Sequence, residues 1–127
     1  MSKAVLGFLA FSFVSYGLIC LFIPSIPIEL VGFDSISGDA KIELIAMYGG
    51  LQTAIGIFFL IAFFKEHYLK AALLCALIIM LGLVVPRTIA FLFTQVEATH
   101  YTLYAIIFEC VLVVLSWFAF KKVDSYA

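Results

Sequence analysis

The run LKAALLCALIIMLGLVVPRTIAFLF, residues 69–93, is apolar apart from Lys70 at its entrance and Arg87 beyond its midpoint. As a helix rising ~1.5 Å per residue, it is longer than the ~30 Å hydrocarbon core of a bilayer. The run therefore predicts a membrane-spanning helix, and Arg87 becomes a charge that such a helix has to accommodate.

Three further runs meet the same length test, at about residues 4–23, 42–64 and 101–120. The breaks between them are polar or rich in proline. PSIP (24–27) stops the first helix because proline lacks a backbone donor and restricts the residue before it. KEHYLK (65–70) is a tight charged turn, TQVEATH (94–100) separates the third and fourth runs, and KKVDSYA (121–127) follows the last. The longest connection begins with IPIELVGF (26–33), expected to lie in the interface or dip back toward the helices. It continues with DSISGD (34–39), which reads as a turn into a helix start. The first run is longer than a signal-peptide core and has no Ala-x-Ala cleavage pattern before Pro24, so it reads as a retained helix. The expected fold is all-α, an integral membrane four-helix bundle forming one domain over residues 1–127.

Composition agrees with that reading. Hydrophobic residues make up 66% of the chain and charged residues 12%, too few charges to coat a soluble core. A net charge of −1 with no basic patch excludes a nucleic-acid partner. Cys20, Cys75 and Cys110 stand singly in apolar runs and read as small packing residues.

Basic residues set orientation. Lys3, Lys65, Lys70, Lys121 and Lys122 fall on one side of a four-span arrangement and Lys41 on the other, which predicts that both termini are cytoplasmic. Glu29, Asp34, Asp39 and Glu97 lie on the opposite side, as this orientation allows.

Polar residues inside the spans are the candidate site, because each must be satisfied by protein, water or ligand. Helix two offers Glu43, Tyr48 and Gln52, the last two four residues apart and so on one face of an α-helix. Helix three offers Arg87, helix four Glu109, and helix one Ser12, Ser15 and Tyr16. Measured along the helices from the outer boundary, Arg87 and Tyr48 lie ~9 Å deep and Gln52 and Glu109 ~12–15 Å deep. A lone arginine at the bilayer centre costs at least roughly 2.5–3.5 kcal/mol, so a partner is expected. Glu109 is the first candidate, since a carboxylate matches the guanidinium fork, and Glu43 is the second.

Gly49, Gly50 and Gly56 beside Ala46 and Ala54 permit close approach of another helix. Pro86 withholds a donor from the Gly82 carbonyl and encourages a kink next to Arg87. His67 and His100 read as solvated loop residues on opposite sides, not as a metal pair. Phe58, Phe59, Phe63 and Phe64 read as packed or lipid-facing, and Trp117 and Tyr126 as anchors at the cytoplasmic interface. The chain contains no nucleotide loop, nucleophile elbow or zinc-hydrolase motif, so no cofactor, metal or catalytic residue is assigned.

With IELIAMYGGLQTAIGIF (42–58), VVPRTIAFLF (84–93) and YAIIFECVLVVLSWF (104–118), the chain resembles a bacterial family of small four-helix membrane proteins known only as a domain of unknown function. The matching positions are Glu43, Tyr48, Gly49, Gly50, Arg87 and Glu109. Such families often carry a further arginine just before the YGG segment, where this chain has Leu44 and Ile45. More loosely, it resembles the DoxX-like four-helix membrane proteins. The resemblance implies a four-helix protein of the bacterial inner membrane and fixes no chemistry.

The leading expectation is a polar pocket opening outward, drawn from Tyr16, Glu43, Tyr48, Gln52, Arg87 and Glu109, that binds or carries a lipid, a quinone-like ring or an anionic small molecule. The alternative is an accessory or assembly subunit, in a homo-oligomer or a larger membrane complex, whose Arg–Glu pair is structural. An enzyme ranks third, since no motif fixes a reaction.

Overall fold

The computed structural model describes residues 2–33, 38–93 and 100–124. The expectations for Asp34, Glu97 and Tyr126, and for most of TQVEATH, lie outside the described residues.

Helix α1, Ser2–Phe22, runs without interruption until Ile23 and Pro24. A short helix, α2 (Ser25–Val31), follows at once, with Pro27 in its first turn, where a missing N–H costs nothing. It ends on Gly32 at φ 82°, in the left-handed region that glycine alone enters freely. There the Gly32 amide donates to the Glu29 carbonyl at 3.1 Å and the Phe33 amide to the Ile28 carbonyl at 3.0 Å, the paired bonds of a Schellman cap. The segment expected at the interface is therefore this helix.

The second span departs from a plain α-helix. It comprises α3 (Asp39–Leu44), a π-helical segment Ile45–Leu51, and α4 (Gln52–Phe64). The π segment takes in Tyr48, Gly49 and Gly50, so the α-helical wheel used for Glu43, Tyr48 and Gln52 does not run unbroken through it. A 3₁₀ turn, Glu66–Tyr68, leads into α5 (Leu69–Phe93), which stays helical through Pro86, and α6 covers His100–Asp124.

Among the described residues, four helical stretches are long and apolar enough to cross a membrane: Ser2–Phe22, Asp39–Phe64, Glu66–Phe93 and His100–Val123. Between 17% and 39% of each hydrophobic window is buried by protein, so most of the apolar surface needs another apolar solvent. Phe22 at 79% exposed and Phe93 at 82% illustrate how far the surface is from one made for water.

Contacts divide the chain into two compact units, Leu6–Lys65 and Met1–Val5 together with Glu66–Ala127. In the first, α1 meets the second span along a seam of small residues. A side chain at Gly49 would come within 2.8 Å of Leu21, and one at Gly56 within 2.7 Å of the Val14 amide. A side chain at Gly17 would come within 2.7 Å of the Thr53 amide and 3.1 Å of the Gly49 carbonyl. The expected close approach is thus realised inside the chain at Gly49 and Gly56, whereas Gly50 has open space before it. Fully buried Phe59 fills the same seam, its ring edge-on to Phe13 at 5.6 Å.

In the second unit, α5 packs against α6. Its far end is tied by Ser2 Oγ, which donates to the Ala119 carbonyl at 3.1 Å, and by Lys3 Nζ, which donates to Glu66 Oε1 at 2.6 Å. The start of α1, the 3₁₀ turn and the last turns of α6 therefore share one end.

Candidate functional site

The buried face of α5 is Ala72, Leu73, Ala76, Leu77, Met80 and Val84, a helical stripe that reaches Arg87 three residues later. The buried face of α6 is Glu109, Leu112, Ser116 and Ala119, spaced three, four and three apart. Where α5 and α6 pack together, Arg87, one turn beyond the stripe of α5, meets Glu109, the first residue of the stripe of α6. Arg87 Nε donates to both carboxylate oxygens of Glu109, at 3.1 and 3.0 Å, and Nη2 donates to Oε1 at 2.9 Å. The pairing that the sequence left between Glu109 and Glu43 falls on Glu109.

The pair is asymmetric. The Glu109 side chain is 8% exposed, whereas that of Arg87 is 32% exposed. The carboxylate is the anchored partner and the guanidinium is the partner with an accessible surface. Charge-assisted, forked contact is the arrangement in which arginine outperforms lysine. Along the helices Arg87 lies ~9 Å from Phe93 and Glu109 ~13 Å from His100, so the pair is well inside the membrane-length hairpin. Pro86, immediately before Arg87, cannot donate to the Gly82 carbonyl, and a side chain at Gly82 would meet nothing within 4 Å.

The remaining sequence candidates belong to the other unit. Tyr48 is 52% exposed, Glu43 is exposed, and Tyr16 and Gln52 are half-buried. Ser12 Oγ donates to the Phe8 carbonyl at 2.9 Å, so its hydroxyl is spent on its own helix. Among the described residues no cluster of His, Cys, Asp and Glu could hold a metal. His67 stacks against Tyr68 with ring centroids 3.8 Å apart, and Cys20, Cys75 and Cys110 are free thiols.

Sequence reading overlooked two polar groups. Thr53 Oγ1 and Ser116 Oγ are buried without a hydrogen-bond partner among the described residues. The signal was there: Thr53 continues the Gly49–Gly56 face, four residues after one and three before the other. Ser116 lies seven residues after Glu109, two turns along the same face.

A family model described as a domain of unknown function, DUF4345, matches residues 1–120, from the start of α1 to the last turns of α6. The chain belongs to that family. No curated protein and no solved structure matches the chain significantly. The DUF4345 match takes in both Arg87 and Glu109, and the family description assigns no activity to them.

Proposed function

We propose that this DUF4345 chain is a small integral membrane protein whose Arg87–Glu109 pair recognises the polar end of an amphiphile in the bilayer. The observation that carries the reading is the asymmetry of the pair: Glu109 is buried, while Arg87 keeps 32% of its side chain exposed at membrane depth. The paired charges cancel, which lowers the cost of holding arginine in an apolar medium. The guanidinium still presents a cationic, donor-rich surface to an acceptor such as a carboxylate, phosphate or quinone carbonyl. Glu109 fixes the orientation of that surface.

The orientation we propose places both termini in the cytoplasm. It rests on the lysine distribution and on the contacts that bring Ser2 and Lys3 to the end of α6 that carries Lys121 and Lys122. The Arg87–Glu109 pair then lies in the outer half of the membrane.

A second reading has support in the same geometry. Both carboxylate oxygens accept from Arg87, a closed fork suited to fixing the register of α5 on α6. In that case the chain is an accessory protein and the pair binds nothing.

The two readings separate on binding. Purified chain would be mixed with oleate or with a short-tailed benzoquinone and followed by native mass spectrometry and thermal unfolding. Under the amphiphile reading, at least one probe is retained and raises the melting temperature, and Arg87→Gln abolishes the effect. If neither probe distinguishes the natural chain from a folded Arg87→Gln variant, the amphiphile reading fails and the structural one stands.

A further inference from the structure

At the opposite end of the α5–α6 hairpin the two helices leave a groove of about 490 Å³, lined by Leu77, Leu81, Val113, Val114, Trp117 and Phe118. Its walls continue into positive charge. On α6, Val113 and Trp117 fall four residues apart, and four more reach Lys121; Val114 and Phe118 lead in the same way to Lys122. On α5, two turns back from Leu77 along the same face is Lys70. The Lys121 ammonium lies 4.9 Å from the centre of the Trp117 ring, so a wall of the groove itself holds a cation at the groove's end.

From this juxtaposition we infer that the hairpin carries a site for one anionic phospholipid, with an acyl chain in the groove and the phosphate at Lys121. The dimensions match. From Val113 to Lys121 is ~12 Å along the helix, against ~15 Å for the hydrocarbon of one leaflet. An acyl chain entering beside Lys121 therefore runs the length of the groove within its own leaflet. Any apolar surface in a bilayer meets lipid tails, so the selectivity resides in the charge. Lysines near a membrane surface each favour an anionic headgroup by about 1 kcal/mol, about fivefold in affinity. The Trp117 contact holds Lys121 at the end of the groove before any lipid arrives, which reduces the ordering that binding demands. This site uses none of the residues of the Arg87–Glu109 pair and stands whether or not that pair binds an amphiphile.

The test is competition between lipids on the full-length chain in detergent, read by native mass spectrometry with equimolar phosphatidylglycerol and phosphatidylcholine. The natural chain retains phosphatidylglycerol in preference. Lys121→Gln reduces that preference about fivefold, while Lys41→Gln, an equal change of charge elsewhere, leaves it intact. Val114→Trp, which fills the groove and keeps every lysine, lowers retention of both lipids; Leu81→Trp serves the same purpose should that variant not fold. Equal retention of the two lipids by the natural chain would overturn the inference. So would an equal loss in Lys41→Gln, an unchanged preference in Lys121→Gln, or undiminished retention in a folded groove-filling variant.

Discussion

Arg87 grips Glu109 through both Nε and Nη2 at 2.9–3.1 Å, and of the two side chains it is the carboxylate that is buried. Removing either partner has a different consequence. Without Arg87 the buried carboxylate loses the cation that faces it; without Glu109 the guanidinium keeps its charge and loses the carboxylate that orients it. Arg87→Gln and Glu109→Gln are each expected to destabilise the chain, and the double variant by less than their sum, with a coupling of roughly 1–3 kcal/mol. Unfolding of the four proteins in mixed detergent measures it. Additive losses would mean that the contact contributes nothing to the fold.

Arg87→Lys isolates the fork. It keeps the charge but presents a single point donor, so it cannot reproduce contacts from Nε and Nη2 together. Its stability is expected to fall between the natural chain and Arg87→Gln. If charge alone mattered, Arg87→Lys would unfold together with the natural protein.

The glycines of the chain divide by what faces them. An added methyl at Gly56 meets the Val14 amide at 2.7 Å and one at Gly17 meets the Thr53 amide at 2.7 Å, both backbone atoms that cannot step aside. Gly56→Ala and Gly17→Ala should each cost about 1–3 kcal/mol through forced separation of α1 from the second span. Gly82→Ala, in the open, should be neutral or stabilise by up to about 1 kcal/mol because alanine is the better helix former. Melting temperatures of the three variants decide it, and a Gly56→Ala protein as stable as Gly82→Ala would contradict the packed seam.

The four spans were legible because length and hydropathy depend on composition along the chain, which a bilayer tests directly. Arg87 and Glu109 were legible for the same reason, as charges where lipid tolerates few. Their pairing was not, because Glu43 and Glu109 are the same chemistry and only the register of α5 on α6 selects between them. The π segment escaped notice because Ile45–Leu51 carries no residue excluded from an α-helix. Two adjacent glycines weaken the α-helical preference, and one of them, Gly49, lies against Leu21 of α1. Gly50 was grouped with Gly49 since neighbours look alike in a small-residue motif, yet successive residues point to different sides of a helix.

Phe59 and Phe64 separate packing from hydrophobicity. Phe59 is fully buried against Phe13, and Phe64 is 74% exposed. In a bilayer both rings have an apolar environment, so transferring phenylalanine out of water contributes little to either. The contrast that remains is the cavity: Phe59→Ala loses contacts that nothing refills and should cost the packing share of the about 3–5 kcal/mol seen in soluble cores. Phe64→Ala, where lipid closes the gap, should fall within about 0.5 kcal/mol of the natural chain. Equal losses in the two would show that the ring pair does not hold α1 to α4.

Orientation can be read from two exposed histidines at opposite ends of the spans. His67 lies in the turn before α5 and His100 opens α6. With Lys65 and Lys70 flanking the first and no lysine near the second, the proposed orientation puts His67 on the cytoplasmic side and His100 outside. In a chain with Cys20, Cys75 and Cys110 replaced by alanine, His100→Cys should react with a membrane-impermeant maleimide on intact cells. His67→Cys should react only after the cells are opened. The reverse pattern would invert the protein and move Arg87 and Glu109 to the inner half of the membrane. Labelling of both sites on intact cells would break the count of spans between them, because α5 could then not cross the bilayer.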